Sequence, residues 1–156
     1  MFGTIVLAVD GSRPSDRALD YAGRLAKESG SRIVAIHVKE IMAGRAAGPV
    51  HVDEDQILEK VRGQIKQLSD DGIKAELQVT STMTGGPAHV IAEVAAKESA
   101  DVIVTGTRGH TALAGVFLGS VAQRLLHLAG CPVLVVPVTT AGGDAAAASR
   151  EAAAVS

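Results

Sequence analysis

Thr4-Ile5-Val6-Leu7-Ala8-Val9 followed by Asp10-Gly11-Ser12 is the stretch that decides the fold. A short, unbroken run of β-branched and aliphatic residues that stops in a polar turn suits a strand buried on both faces, as parallel sheets require. A helix is expected next: Ser12 or Ser15 can cap it and Pro14 suits its first turn. Ala18, Leu19, Ala22, Leu25 and Ala26 then recur at helical spacing until Gly30 stops it.

Outward from there the alternation repeats. Residues 32–38 read as a second strand and residues 39–52, with Gly44, Gly48 and Pro49, as a flexible connection. Ile57, Leu58, Val61, Ile65 and Leu68 form a helical stripe closed by Gly72. A third strand is expected over 73–80, and a helix carrying Val90, Ile91, Val94 and Ala95 after Gly85-Gly86-Pro87. A fourth strand follows over 102–105, a helix over 120–129 ended by Gly130, and a fifth strand over 132–137. Strands alternating with helices predict an α/β fold, a doubly wound parallel sheet with right-handed crossovers and helices on both faces.

The 156 residues, 47% of them apolar, bury roughly 70% of their unfolded surface in one domain of this size. Residues 1–138 are read as that domain, and residues 139–156, rich in Ala, Gly and Ser, as a flexible tail. A formal net charge of -2 supplies no general pull toward nucleic acid or an anionic membrane. Two Phe, one Tyr and no Trp leave no platform for stacking single-stranded bases. One cysteine, Cys131, allows no internal disulfide, and no apolar run approaches a membrane span or follows a basic leader; a cytoplasmic location is expected.

Ligands of open parallel sheets collect beyond the carboxyl ends of the strands, where neighbouring strands send their connections to opposite faces. Two such ends carry unusual residues: Asp10-Gly11-Ser12, and Gly106-Thr107-Arg108-Gly109 with Gly119-Ser120 farther along. If the first and fourth strands are neighbours, the two segments share one crevice. Glycines let backbone N–H groups approach phosphate oxygens, and Gly119-Ser120 opens a helix whose unpaired amides and dipole favour an anion. No Asp or Glu occurs from Val102 through Gly143, whereas Arg108, His110, Arg124 and His127 do. Asp10 can accept from ribose hydroxyls or an adenine amino group, or hold water on magnesium, and Val38 can offer backbone groups to a base edge.

The segments TIVLAVDGS, RIVAIHV, ADVIVTGTRGH and GSVAQRLLHLAGCPVLVVP resemble the universal stress protein family over essentially residues 3–137. Its G-x-x-G-x9-G-[ST] signature falls on Gly106, Gly109, Gly119 and Ser120 without a gap. The resemblance implies the family's ATP-binding branch, a five-stranded Rossmann-like fold of order 3-2-1-4-5, and a homodimer through the last strand. It further implies ATP, with magnesium, between Ala8-Val9-Asp10 and the glycine loop. Asp10 would meet ribose or metal, Val38 the adenine, and Gly106, Arg108, Gly109, Gly119, Ser120 and Val121 the phosphates and ribose. Ala122 stands where many ATP-binding members carry a second hydroxyl, which leaves ATP, AMP and cyclic AMP all open as preferred ligands.

Plainer roles stand beside these. The glycines can be turn and cap residues, and Asp10 can cap its own turn. His37 and His127 suit packing or surface positions, and the metal-like cluster His51-Val52-Asp53-Glu54-Asp55 suits a helix start better than a metal site. Cys131 suits a small buried hydrophobe. The apolar strip Val133–Val136 needs cover if it is an edge, which a twin copy supplies. Neither a P-loop nor the dinucleotide G-x-G-x-x-G pattern is present, and no base for phosphoryl transfer is evident. The expectation is a nucleotide-binding regulator with no catalytic residues and at most slow, incidental ATP hydrolysis. The alternatives are a nucleotide-independent dimeric scaffold and a weak ATPase.

Overall fold

Nine elements alternate along the chain in the computed structural model, which describes residues 2–40, 53–83, 86–107 and 118–138. They are β1 (Thr4–Ala8), α1 (Arg13–Ser29), β2 (Arg32–Glu40), α2 (Glu54–Asp70), β3 (Ala75–Thr82), α3 (Gly86–Lys97), β4 (Val102–Gly106), α4 (Ser120–Leu128) and β5 (Val133–Val136). The sheet runs β3-β2-β1-β4-β5 with every neighbouring pair parallel, which makes β1 and β4 partners as anticipated.

The period-two alternation of the strands sorts their side chains between two cores. Ile5, Leu7, Ile33, Ala35 and Val104 face α1 and α2, whereas Val6, Ala8, Val34, Ile36 and Ile103 face α3 and α4. All residues of β1 and β4 are buried, as central strands covered on both faces must be, while β3 and β5 alternate between shelter and exposure at the sheet edges.

The helix ends follow local chemistry. Ser12 caps α1, with Pro14 in the first turn and Gly30 in the left-handed conformation at its end (φ 71°). Asp53 caps α2 by accepting from the amides of Asp55 and Gln56, so the acidic run is a helix start. No group of three His, Cys, Asp or Glu able to hold a metal occurs among the described residues.

The third strand starts at Ala75 instead of residue 73, and it ends at Thr82 instead of residue 80. Ile73 belongs to the end of α2: its N–H bonds to the Leu68 carbonyl (3.0 Å) and that of Gly72 to Ser69 (3.0 Å), with Gly72 at φ 85°. This is a Schellman closure, and the apolar residue after the glycine packs back on the helix it ends. The second strand runs on through Glu40, and the fourth helix stops at Leu128, with Ala129 as its cap. The anticipated tail, residues 139–156, and most of the 39–52 connection lie outside the described residues.

At the amino end of the sheet the chain closes on itself. The Asp101 carboxylate accepts the N–H groups of Gly3 (2.7 Å) and Thr4 (2.9 Å), which hold its pKa below the ordinary 3.8. Arg32 pairs with Glu98 at 2.9 Å and holds that carboxyl low as well. Among the described residues no helix is long and apolar enough to cross a membrane.

Candidate functional site

The sheet order produces one place where connections diverge. After β1 the chain passes into α1 on one face, and after β4 it leads to α4 on the other, so the connections diverge beyond Ala8 and Gly106, where sheets of this kind form their ligand crevice. Its first lip is the β1–α1 turn. The Val9 N–H bonds to the Ile36 carbonyl at 3.0 Å, which still ties the chain to β2 one residue past the strand. Asp10 Oδ1 then accepts the Ser12 N–H (2.9 Å), and the Asp10 N–H donates to Ser15 Oγ (3.1 Å). Gly11 between them takes φ 75°, the left-handed conformation that favours glycine. Asp10 therefore does shape its own turn, one of the two roles its position suggested. Ala8 pairs with Ile36 in the register, so half-buried Val38 stands two residues farther along β2, beside the same lip.

The second lip joins two stretches distant in sequence. The Thr107 N–H donates to the Val136 carbonyl (3.0 Å), and the Thr107 carbonyl accepts the Gly119 N–H (2.5 Å). Gly119, the last glycine of the signature, thus sits against the end of β4, close to Gly106. It is the N-cap of α4, in extended conformation and with no side-chain cap, so the amides that open this helix meet no oxygen from the capping residue. No acidic residue lies in the first turn of α4. Ser120 is exposed at that turn, and Val121 packs on the core below. Ala122 is only 2% exposed, turned toward the interior, so the missing hydroxyl is missing from a buried position. Arg108 and Gly109, and with them His110, lie outside the described residues.

Gly106 has a reason for being glycine that sequence reasoning missed. A Cβ there would lie 2.7 Å from both the carbonyl carbon and oxygen of Pro14, a backbone collision. The end of β4 and the first turn of α1 are thus in direct contact, and the two lips meet there. Only the neighbour across the sheet reveals this; the sequence offered Pro14 merely as a helix starter. Cys131, expected to be buried, is only half-buried against the α3–α4 core; burial and then the Asp101 charge push its thiol pKa up, so it packs as a neutral group. A hollow of about 320 Å³ beside Arg32, Ile33, Ser69 and Lys74 lies at the far, amino end of the sheet, away from every residue the motifs single out.

Sheet order, crevice and glycine-headed α4 together define the doubly wound α/β class whose members receive ligands at the carboxyl edge. The universal stress protein family model matches residues 1–137, and the chain belongs to that family. It is 37% identical over 144 residues to universal stress protein MJ0531 of Methanocaldococcus jannaschii, covering 87% of this chain and 82% of that protein. To universal stress protein YxiE of Bacillus subtilis it is 32% identical over 151 residues, covering 87% and 99% respectively. A universal stress protein solved in complex with cAMP superposes with a TM-score of 0.63 at 26% identity, over 86% of this chain and 97% of that one.

Proposed function

We propose that the protein is an ATP-binding regulator of stress adaptation, acting in the cytoplasm as a homodimer and not as an enzyme. The observation that carries this is the start of α4: a glycine N-cap, bonded to Thr107 at the end of β4, offers no side-chain acceptor to the first helix amides. Such a helix start attracts phosphate through its unpaired N–H groups and dipole, worth ~0.3 to 1 kcal/mol when exposed and up to about 2 when sheltered. The cAMP complex of a relative supports an adenine nucleotide as the class of ligand.

In this assignment residues 1–138 are the nucleotide-binding domain, with 139–156 as a tail. Ala8 and Val9 floor the crevice, the Val38 backbone meets the adenine, and Asp10 meets the ribose or a metal. Gly106, Arg108, Gly109, Gly119, Ser120 and Val121 take the phosphates and ribose. Magnesium fits this donor set only as a guest of the phosphates, since Asp10 supplies one carboxylate and the ion keeps several waters. Dimerisation through β5 is supported by its edge position and by Leu134, 39% exposed on it.

A second reading, a nucleotide-independent scaffold, is favoured by the structural work of two motif residues: Asp10 in its turn and Gly106 under Pro14. Calorimetry on protein stripped of copurified ligand separates the two. Micromolar ATP binding that disappears in a Gly109→Val variant is expected; no binding of ATP, ADP, AMP or cyclic AMP establishes the scaffold. Turnover of ATP faster than about one per second would make the protein an enzyme. For the dimer, a Val135→Glu variant is expected to sediment as a monomer.

A further inference from the structure

One face of the α2 helix grips the lip that carries Asp10. Glu54, in its first turn, places Oε1 on Nε2 of His37, and Nδ1 of that ring lies 2.9 Å from the Val9 carbonyl. A carbonyl only accepts, so Nδ1 carries a proton and donates it. Ile57, one turn on, lies under Gly11, where a Cβ would come within 3.2 Å of its Cγ2. Lys60, another turn on, donates from Nζ to the Gly11 carbonyl (2.7 Å) and to Asp16 Oδ2 (2.8 Å). Gln64 completes the row by donating to Asp16 Oδ1 at 2.8 Å.

The carbonyls immediately before and after Asp10 are therefore both held from outside the turn, Val9 by His37 and Gly11 by Lys60. His37 is 4% exposed and satisfied at both ring nitrogens. A surface lysine paired to one carboxylate contributes little to stability. This one also holds a peptide carbonyl, and so fixes an orientation.

We propose that Lys60 and His37 are positioning residues for the nucleotide site: by fixing the peptide planes on both sides of Asp10 they aim its carboxylate across the crevice. This role rests on the nucleotide assignment above. Because ribose is common to adenosine and ATP, loosening the lip weakens both equally, whereas a defect at the phosphate end spares adenosine.

The experiment uses the full chain, stripped of ligand, with calorimetry of ATP and adenosine and amide hydrogen exchange of the free protein. Lys60→Met is expected to weaken ATP and adenosine by the same factor, roughly 3- to 30-fold, the range seen for residues acting at a distance from a ligand. Lys60→Arg restores the parent affinity, and Lys60→Met causes no further loss in an Asp10→Ala background, as coupling through Asp10 demands. Parent-like affinity in Lys60→Met, or losses that add in the double variant, overturns the role. If the parent itself binds neither ligand, the nucleotide assignment fails, and exchange alone decides the brace. Faster exchange of the Ser12 amide in Lys60→Met, with Val34 in β2 still protected, sustains it; unchanged exchange at Ser12 removes it.

Discussion

Two helices begin at facing lips of one crevice and treat their opening amides in opposite ways. At α1 the protein supplies its own acceptors: Ser12 Oγ takes the Ser15 N–H (3.3 Å), Asp10 Oδ1 takes that of Ser12, and Asp16 adds an acid to the first turn. At α4 the cap is Gly119, with neither a side-chain acceptor nor an acid in the first turn. The positive end of one helix dipole meets acceptors from its own cap and first turn, whereas the cap and first turn of the other supply none. If the nucleotide assignment proposed above holds, the first lip is structural and the second receives the phosphates.

The sharpest way to break this contrast is to make α4 start like α1. Gly119→Asp is expected to stabilise the fold by a few tenths of a kcal/mol, since glycine is only slightly poorer than aspartate as a cap. It should weaken ATP by about 100-fold or more, because a carboxylate now occupies the phosphate position and like charges there cost several kcal/mol. Thermal melting and calorimetry on one preparation read both effects; ATP affinity that survives the substitution places the phosphates elsewhere. Next in size is Gly106→Ala, which drives a methyl group into the Pro14 backbone. A loss of ~1 to 3 kcal/mol is expected in urea unfolding, as for other overpacked sites.

Ser12→Ala should cost about 1 kcal/mol through the lost α1 cap, lowering the urea midpoint with an unchanged slope. A smaller loss at Ser12 than at Gly106 would show that the junction tolerates a lost cap better than an added methyl group. The smallest effect lies at the opposite end of the sheet and calibrates the rest. The amides of Thr4 and Gly3 lower the Asp101 pKa below 3.8, so the folded state favours the ionised form. That contribution is complete above the unfolded value of 3.8 and disappears as pH falls through the lower folded value. Asp101→Asn should be less stable than the parent at neutral pH and converge with it in acid, as urea midpoints across that range will show.

The strands were legible because burial on both faces forces unbroken apolar runs such as Thr4–Ala8 and Val102–Gly106. The misplacement at Ile73 has the same origin: an apolar residue after a glycine looks alike whether it opens a strand or folds back to close a helix, and only the bond to Leu68 decides. Asp10 and Gly119 were legible as candidates from their places at element ends. What Gly106 does was not, since Pro14 is far from it in sequence and touches it only after β1 and β4 pair. Lys60 and His37 were equally hidden. Lys60 looks like any solvated lysine on a helix until α2 is laid over the turn beginning at Asp10.

The abutment of Gly106 on Pro14 carries a mechanical consequence. With backbone pressed on backbone at that point, the two margins cannot draw closer there unless α1 shifts along the sheet, dragging its buried alanines with it. The contact acts as a fixed stop: it sets how near the end of β4 and the start of α1 can come, whatever the loops around them do.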